Sequence, residues 1–383
     1  MTRVFGDLDR KYIDEVLDSG RLGYVKDGMI TRLEQAFALK VGAKYGSARN
    51  SAMTALAMAI SFSEAGPGFE VICDPIVHFG GVAALYYNAI PRFADVRRDT
   101  YLMDPDSVRA NITPFTKALI VTNLWGLCAE LDEIRKICDE HGIFMIEDCA
   151  HNVGSYWKGK HAGTYGDMGV FSFQQTKHLS TGDGGMMVTN SDELEAKIPY
   201  YFFLGESPKW MYLNFRMNEL TAAVGLAQME HLDDYIEEYT QNLHIYDETI
   251  RDCKWLQNRT VPKEAIQTGY LWACTWEGDK FGLEHDRFVK VTKDLGIPLN
   301  FGFLQRPAYT FDIFKGSTAY HVSDCPVRCP LYQGDYQYHD GLCPTAEELM
   351  PRLVTSGIIE VPPDEIKRRA DFLRQVIHIT EQG

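Results

Sequence analysis

The amino-acid sequence predicts an α/β fold with a large domain around a mostly parallel, mixed sheet and a smaller C-terminal α+β domain. Three observations lead there. Short, largely apolar runs recur between residues 70 and 190, the pattern of strands buried on both faces. Stretches with apolar residues at helical spacing separate these runs, as in repeated strand–helix units. Beyond about residue 252 the chain changes to short mixed strands and proline-containing loops before one last helix.

Taken in order, residues 8–18 set Tyr12, Ile13, Val16 and Leu17 on one helical face, and Ser19-Gly20 follows as a stop signal. A second amphipathic helix is expected over 30–41 and an apolar one over 51–63. Strands are expected at 70–73, 118–122, 143–146 and 169–173, with a helix over 131–140. Asp183-Gly184-Gly185 reads as a turn into a strand over 186–189 that pairs back on the strand before it. A long helical stretch covers about 218–252 and a closing helix 363–377. The division between domains is placed near 235, giving 1–235 for the large domain and 236–383 for the small one.

Composition narrows the function classes. A chain of 383 residues with 45% hydrophobic residues holds one large core and a smaller one, and no internal repeat points to a solenoid. The formal net charge of -15 repels nucleic acid and anionic membrane surfaces, so neither is an expected partner. An anionic ligand therefore needs a local cluster of donors. The N-terminal stretch carries Arg3 and Asp7 with no apolar signal-peptide core, and no run reaches the length of a membrane span, so a cytoplasmic location is expected. Nine scattered cysteines suit reduced thiols; Cys325, Cys329 and Cys343 lack the spacing of a zinc site, and no metal is expected.

Two segments carry candidate chemistry. In Ile146-Glu147-Asp148-Cys149-Ala150-His151, carboxylates stand at the end of an apolar strand, where open α/β sheets present ligand-binding groups. In Phe171-Ser172-Phe173-Gln174-Gln175-Thr176-Lys177-His178, a strand runs into a polar loop whose only fixed cation is Lys177, and a lysine beside a buried crevice forms Schiff bases. Pyridoxal 5'-phosphate needs both: a lysine to hold it, and a carboxylate to keep its ring nitrogen protonated. On spacing alone, a helix-capping Asp148 and a solvated Lys177 form the stronger assignment. Asn50-Ser51 precedes an apolar helical run, so the amides of Ala52 and Met53 at that helix start form an anion site. Ser51 as a plain N-cap fits the same pattern.

The stretch 121–190 resembles the DegT/DnrJ/EryC1/StrS family of sugar aminotransferases, pyridoxal-phosphate enzymes of fold type I. The matching residues are Gly126, the Glu147-to-His151 string, Gly163 to Gly166 with Asp167, Phe171-Ser172-Phe173, Thr176-Lys177 and Thr181-Gly182-Asp183-Gly184-Gly185. Asn214-Phe215-Arg216-Met217-Asn218-Glu219 and the helical run after it are similar to a further family segment, and the likeness covers about residues 10–310.

The resemblance implies that Lys177 carries the cofactor and moves the proton, and that Asp148 pairs with the ring nitrogen. It puts His151 near the ring hydroxyl, Ser172 on the phosphate, and Arg216 on the phosphate of the neighbouring subunit, which makes a homodimer part of the active site. It also implies L-glutamate or L-glutamine as amino donor and a nucleotide-linked or free keto-sugar, or a keto-cyclitol, as acceptor. Two departures stand out. Ser51-Ala52-Met53 replaces the usual Ser-Gly-Thr, and His78 occupies the place of the stacking aromatic, with Phe79 next to it. A dehydratase sub-branch has histidine in place of the lysine, so retention of Lys177 favours transamination; a dehydratase and a non-catalytic cofactor-binding protein stand as alternatives. Tyr200 to Phe203 and Tyr332 to Tyr338 are read as core or interface, with interface preferred, rather than as a sugar pocket. His178 is read as a loop residue, and Arg306 as an anion contact or a surface residue.

Overall fold

A computed structural model describes residues 3, 5–198, 214–315, 319–320 and 323–382. The chain opens with α1 (Asp7–Ser19), α2 (Met29–Val41), β1 (Tyr45–Arg49), α3 (Ala52–Phe62), β2 (Glu70–Cys73), α4 (Phe79–Leu85) and β3 (Ile90–Phe93). There follow α5 (Pro105–Asn111), β4 (Thr116–Thr122), α6 (Leu131–His141), β5 (Phe144–Asp148), β6 (Tyr156–Trp157) and β7 (Lys160–His161). Next come β8 (Met168–Ser172), β9 (Gly185–Thr189), α7 (Asp192–Lys197), α8 (Glu219–Met229) and α9 (Leu232–Ile250). The last third holds β10 (Leu256–Asn258), β11 (Ala265–Ile266), β12 (Leu271–Trp276), α10 (His285–Asp294) and β13 (Asn300–Phe301). It ends with α11 (Asp312–Lys315), α12 (Pro344–Leu349), β14 (Leu353–Gly357) and α13 (Pro363–Glu381).

The large sheet has the order β1-β9-β8-β5-β4-β2-β3. Strands β3, β2, β4, β5 and β8 pair in parallel, whereas β9 runs antiparallel to both β8 and β1. The expected hairpin return into 186–189 is thus the β8–β9 pair, and the expected strand at 70–73 is β2 to the residue. Every residue of β2, β8 and β9 is buried, because helices and loops cover both faces.

Corrections concern small or broken elements. The single helix expected over 218–252 is two, interrupted at Glu230-His231, and Asp233 and Asp234 in the first turn of α9 suit its N-terminal dipole. Strands β1 and β3 and helix α4 were not expected. A second core forms where α9, α10 and α13 cover the sheet ordered β10-β12-β14-β13. Helix α9 crosses residue 235, and its half from Leu243 onward lies in that second core. Residues 308–350 return to the first core, through Ala308, Tyr309, Phe314, Cys343 and Leu349.

Among the described residues, no helix is long and apolar enough to cross a membrane.

One buried acid ties the N-terminal helices to this framework. Glu219, 2% exposed, accepts hydrogen bonds from the amides of Val25 (3.0 Å), Met29 (2.5 Å) and Ile30 (3.3 Å). The carboxylate therefore closes the amino end of α2. Glu219→Ala strips three buried amides of their acceptor and should cost about 3 kcal/mol, since each orphaned donor carries its own desolvation penalty. Urea unfolding checks this; a loss under about 0.5 kcal/mol would contradict the assignment.

Candidate active site

The carboxyl ends of the parallel strands gather the titratable groups. Successive side chains of a strand point to opposite faces, and this separates the two acids that end β5. Glu147 turns inward, where Oε1 accepts from the amides of Tyr165 and Gly166 (both 2.7 Å) and Oε2 from that of Gly163 (2.7 Å). It organises the loop 163–166 and is spent on structure. Asp148, 3% exposed, accepts only one close amide, that of Ala150 at 3.0 Å through Oδ1. Burial pushes its carboxyl upward, while the Ala150 amide and the charge of Lys177 hold it down.

Lys177 lies in the loop after β8, part-buried, with Nζ donating to Tyr270 Oη at 2.8 Å. Tyr270 stacks on His151, ring centroids 4.2 Å apart and 17° from parallel. Burial drives His151 far below the usual imidazole range, and the charge of Lys177 adds to that push, so the ring is neutral. Its Nδ1 is shielded and has no hydrogen-bond partner. Asp74, just after β2, is a further buried acid of this region: burial raises it to about 6, and the charge of Asp148 pushes the same way.

The anion end is built on α3. Ser51 caps it, with Oγ accepting from the Thr54 amide at 3.1 Å, and the amides of Ala52 and Met53 lie in the first turn. Ser172 pairs in register with Gly185, and a Cβ on Gly185 would stand 2.6 Å from the Ala52 amide nitrogen. A glycine there lets β9 run against the helix start, so Ser172, Ser51 and Ala52 converge. The hydroxyl missing at Met53 reappears one residue later as Thr54, which donates to Asn50 Oδ1 at 2.6 Å. Arg216 bridges Arg49 through its backbone, immediately before Asn50-Ser51, and its guanidinium has no hydrogen bond or ion pair among the described residues.

His78 precedes α4 with its Nδ1 shielded and unpartnered; Phe79 is beside it, rings 4.4 Å apart, and 44% exposed. Arg306 is exposed and lies over the Phe311 ring, 5.4 Å from its centroid. Phe311 is in turn 6.0 Å from the His78 ring.

Other expectations change. Tyr332, Tyr336 and Tyr338, for which the sequence reading prefers an interface to the core, pack inside their own chain along β2 and β3. Tyr332 donates to Glu70 at 2.5 Å, Tyr336 Oη accepts from the Phe93 amide at 2.9 Å, and Tyr338 donates to the Pro91 carbonyl at 2.9 Å. Edge strand β3 needs such partners for its outward groups. Tyr200 to Phe203 lie outside the described residues. His178 is in the loop but fully enclosed, 1% exposed, with Nε2 bound to the Gly269 carbonyl at 2.8 Å. No group of three or more His, Cys, Asp or Glu side chains among the described residues is arranged to hold a metal ion.

Sequence reasoning missed two contributors. Tyr270 comes from a segment 93 residues beyond Lys177, and Arg3 donates to the Lys177 carbonyl at 2.7 Å while pairing with Glu360 at 2.9 Å. Only the Gly-Tyr step before an apolar strand hinted at the first, and nothing marked the second.

The chain as a whole is similar to known proteins. A sequence profile of the DegT/DnrJ/EryC1/StrS aminotransferase family matches residues 5–336. GDP-perosamine synthase of Caulobacter vibrioides is 32% identical over 299 residues, covering 76% of this chain and 80% of that protein. L-glutamine:2-deoxy-scyllo-inosose aminotransferase of Streptomyces kanamyceticus is 31% identical over 278 residues, 68% of this chain and 64% of that one. The crystal structure of DesI with its TDP-sugar product superposes with a TM-score of 0.82 at 25% identity, covering 100% of this chain and 93% of that chain.

Burial lowers His178 to about 3, so the folded chain keeps it neutral while the unfolded chain protonates it below about 6.5. Its stabilisation is complete above pH 6.5 and is lost as pH falls, by about 1.4 kcal/mol per unit. Between pH 6.5 and 5.0 the parent should lose about 2 kcal/mol more than His178→Asn. Glu34, raised by burial to about 7, and Asp74 act with the opposite sign, but in both proteins alike. Parallel stability curves from denaturant titrations at the two pH values would refute the assignment.

Proposed function

The chain belongs to the DegT/DnrJ/EryC1/StrS aminotransferase family and is a pyridoxal-phosphate-dependent aminotransferase of fold type I, and from that premise we propose that it aminates a ketone of a sugar or cyclitol. The nitrogen donor in this reading is L-glutamate or L-glutamine; the acceptor is a nucleotide-linked or free keto-sugar, or a keto-cyclitol. The names of the relatives, a GDP-perosamine synthase and a glutamine-dependent inosose aminotransferase, support both halves. What carries the reading is the placement of the buried Asp148 at the end of β5 and of Lys177 in the loop after the adjacent β8, next to the helix start where Ser172 and Ser51 converge.

The residues present fit the cofactor. A shielded, unpartnered Nδ1 on His151, a buried carboxyl with one close amide, and a glycine that opens the helix start are all features such a group would use. Pyridoxal phosphate, when bound, supplies a ring that takes up the charge left when a bond to a carbon next to nitrogen breaks. Asp148 would hold the proton of the ring nitrogen. Lys177 Nζ would anchor the group covalently, then take a proton from carbon and return it. The amides of Ala52 and Met53 with the hydroxyls of Ser51 and Ser172 would bind the phosphate, His151 would meet the ring hydroxyl, and His78 would pack on a ring face.

Arg216 would complete the phosphate site from the neighbouring subunit of a homodimer; its guanidinium, without a partner in its own chain among the described residues, is what supports this. The cytoplasm is the proposed location, and the net charge of -15 argues against nucleic acid or an anionic membrane as partner. Nitrogen passes in two half-reactions, which predicts ping-pong kinetics.

The test is an absorbance titration of purified protein with pyridoxal phosphate, then L-glutamate or L-glutamine, in parallel with Lys177→Ala. A visible band should form, bleach with one donor, and be absent or unresponsive in the variant. Protein that retains no cofactor, or ignores both donors, would overturn the reading.

A further inference from the structure

We propose that Tyr270 is the positioning partner of the Lys177 amine, a hydroxyl that holds Nζ in place in both of its protonation states. The proposal rests on the reading of Lys177 as the catalytic amine. Nζ donates to Tyr270 Oη at 2.8 Å, and no carboxylate among the described residues lies within ion-pair distance of it. The choice of partner matters chemically. An ionised carboxylate only accepts, so it would pin the lysine as ammonium. A phenol accepts from the ammonium and, by rotating its O–H, donates to the neutral amine. The phenol can therefore partner the amine before and after it gives up a proton.

The hydroxyl is also mounted rigidly. Its ring is stacked on His151, with the His178 ring 5.8 Å away on a second side. The backbone beneath it has no slack. The Thr268 amide donates to the Gly126 carbonyl at 2.9 Å, and the Gly269 amide to Thr240 Oγ1 at 3.0 Å. The Gly269 carbonyl accepts from His178 Nε2 at 2.8 Å, a bond made by the residue next to Lys177 itself. A Cβ on Gly126 would stand 1.9 Å from the Thr268 oxygen, and one on Gly269 2.0 Å from the Tyr239 oxygen. The segment that brings Tyr270 in from the second half of the chain is thus clamped on both sides, and its hydroxyl reaches Nζ at a fixed place.

Tyr270→Phe keeps the ring and removes only the hydroxyl. Two readouts test it. In cofactor-free protein, limited acetylation by an N-hydroxysuccinimide ester, read by peptide mass spectrometry, should modify Lys177 severalfold faster in the variant, with Lys197 as unchanged internal control. In cofactor-loaded protein, the limiting rate of the donor half-reaction should fall roughly 10- to 100-fold while the donor concentration for half saturation changes less than about twofold. Unaltered Lys177 labelling together with an unaltered limiting rate would overturn the proposal and leave Tyr270 a packing residue. A donor half-reaction that survives in Lys177→Ala would instead overturn the reading of the lysine, and that outcome is separately visible.

Discussion

Burying Asp148 at the carboxyl end of β5 drives its carboxyl toward the neutral form, and the active site is arranged to oppose that drive. One amide and the positive charge of Lys177 do so. A nearby cation favours a buried anion, and a lysine is useful for chemistry only if it is not locked in a tight ion pair. Lys177 acts on Asp148 through space, while the close contact of the amine is with the Tyr270 phenol. The site thus has electrostatic coupling without a salt bridge.

The sheet makes this arrangement possible. Alternation along β5 sends Glu147 to the interior, where it binds three amides, and leaves Asp148 with one. The antiparallel return of β9 onto β8 sets Ser172 against Gly185 and brings both to the start of α3. The acid and Ser172 therefore stand at the ends of the adjacent strands β5 and β8, while the amine follows in the loop after β8 and the Ser51 hydroxyl comes from the start of α3. The second half of the chain adds Tyr270, and Arg3 joins the Lys177 loop to Glu360.

What was legible in the sequence follows from which signals are local. Helices α1, α2 and α6 carry strong apolar periodicity or stop signals, and the apolar runs of β2 and β4 are bounded by breakers, so each can be read without its neighbours. Strand β3 contains Pro91, tolerated because the strand lies at the sheet edge, and α4 contains Gly80 and Gly81, so local preference argued against both. The packing of the tyrosines at 332–338 was not legible because nothing local shows that a distant segment covers β3. Lys177 and Asp148 could be singled out through their motif; Arg3 and Asp74 reach this region only through tertiary contact, for which one sequence carries no signal, and Tyr270 was hinted at only by the Gly-Tyr step before an apolar strand.

The central proposal is that Asp148, though buried, would hold a proton on the nitrogen of the cofactor ring. Nitrogen NMR of the protein loaded with pyridoxal phosphate carrying 15N in the ring measures this directly. The account predicts the shift of a protonated pyridine nitrogen, moving to that of the unprotonated ring in Asp148→Asn. An unprotonated ring in the parent protein, or the same shift in both proteins, would contradict it.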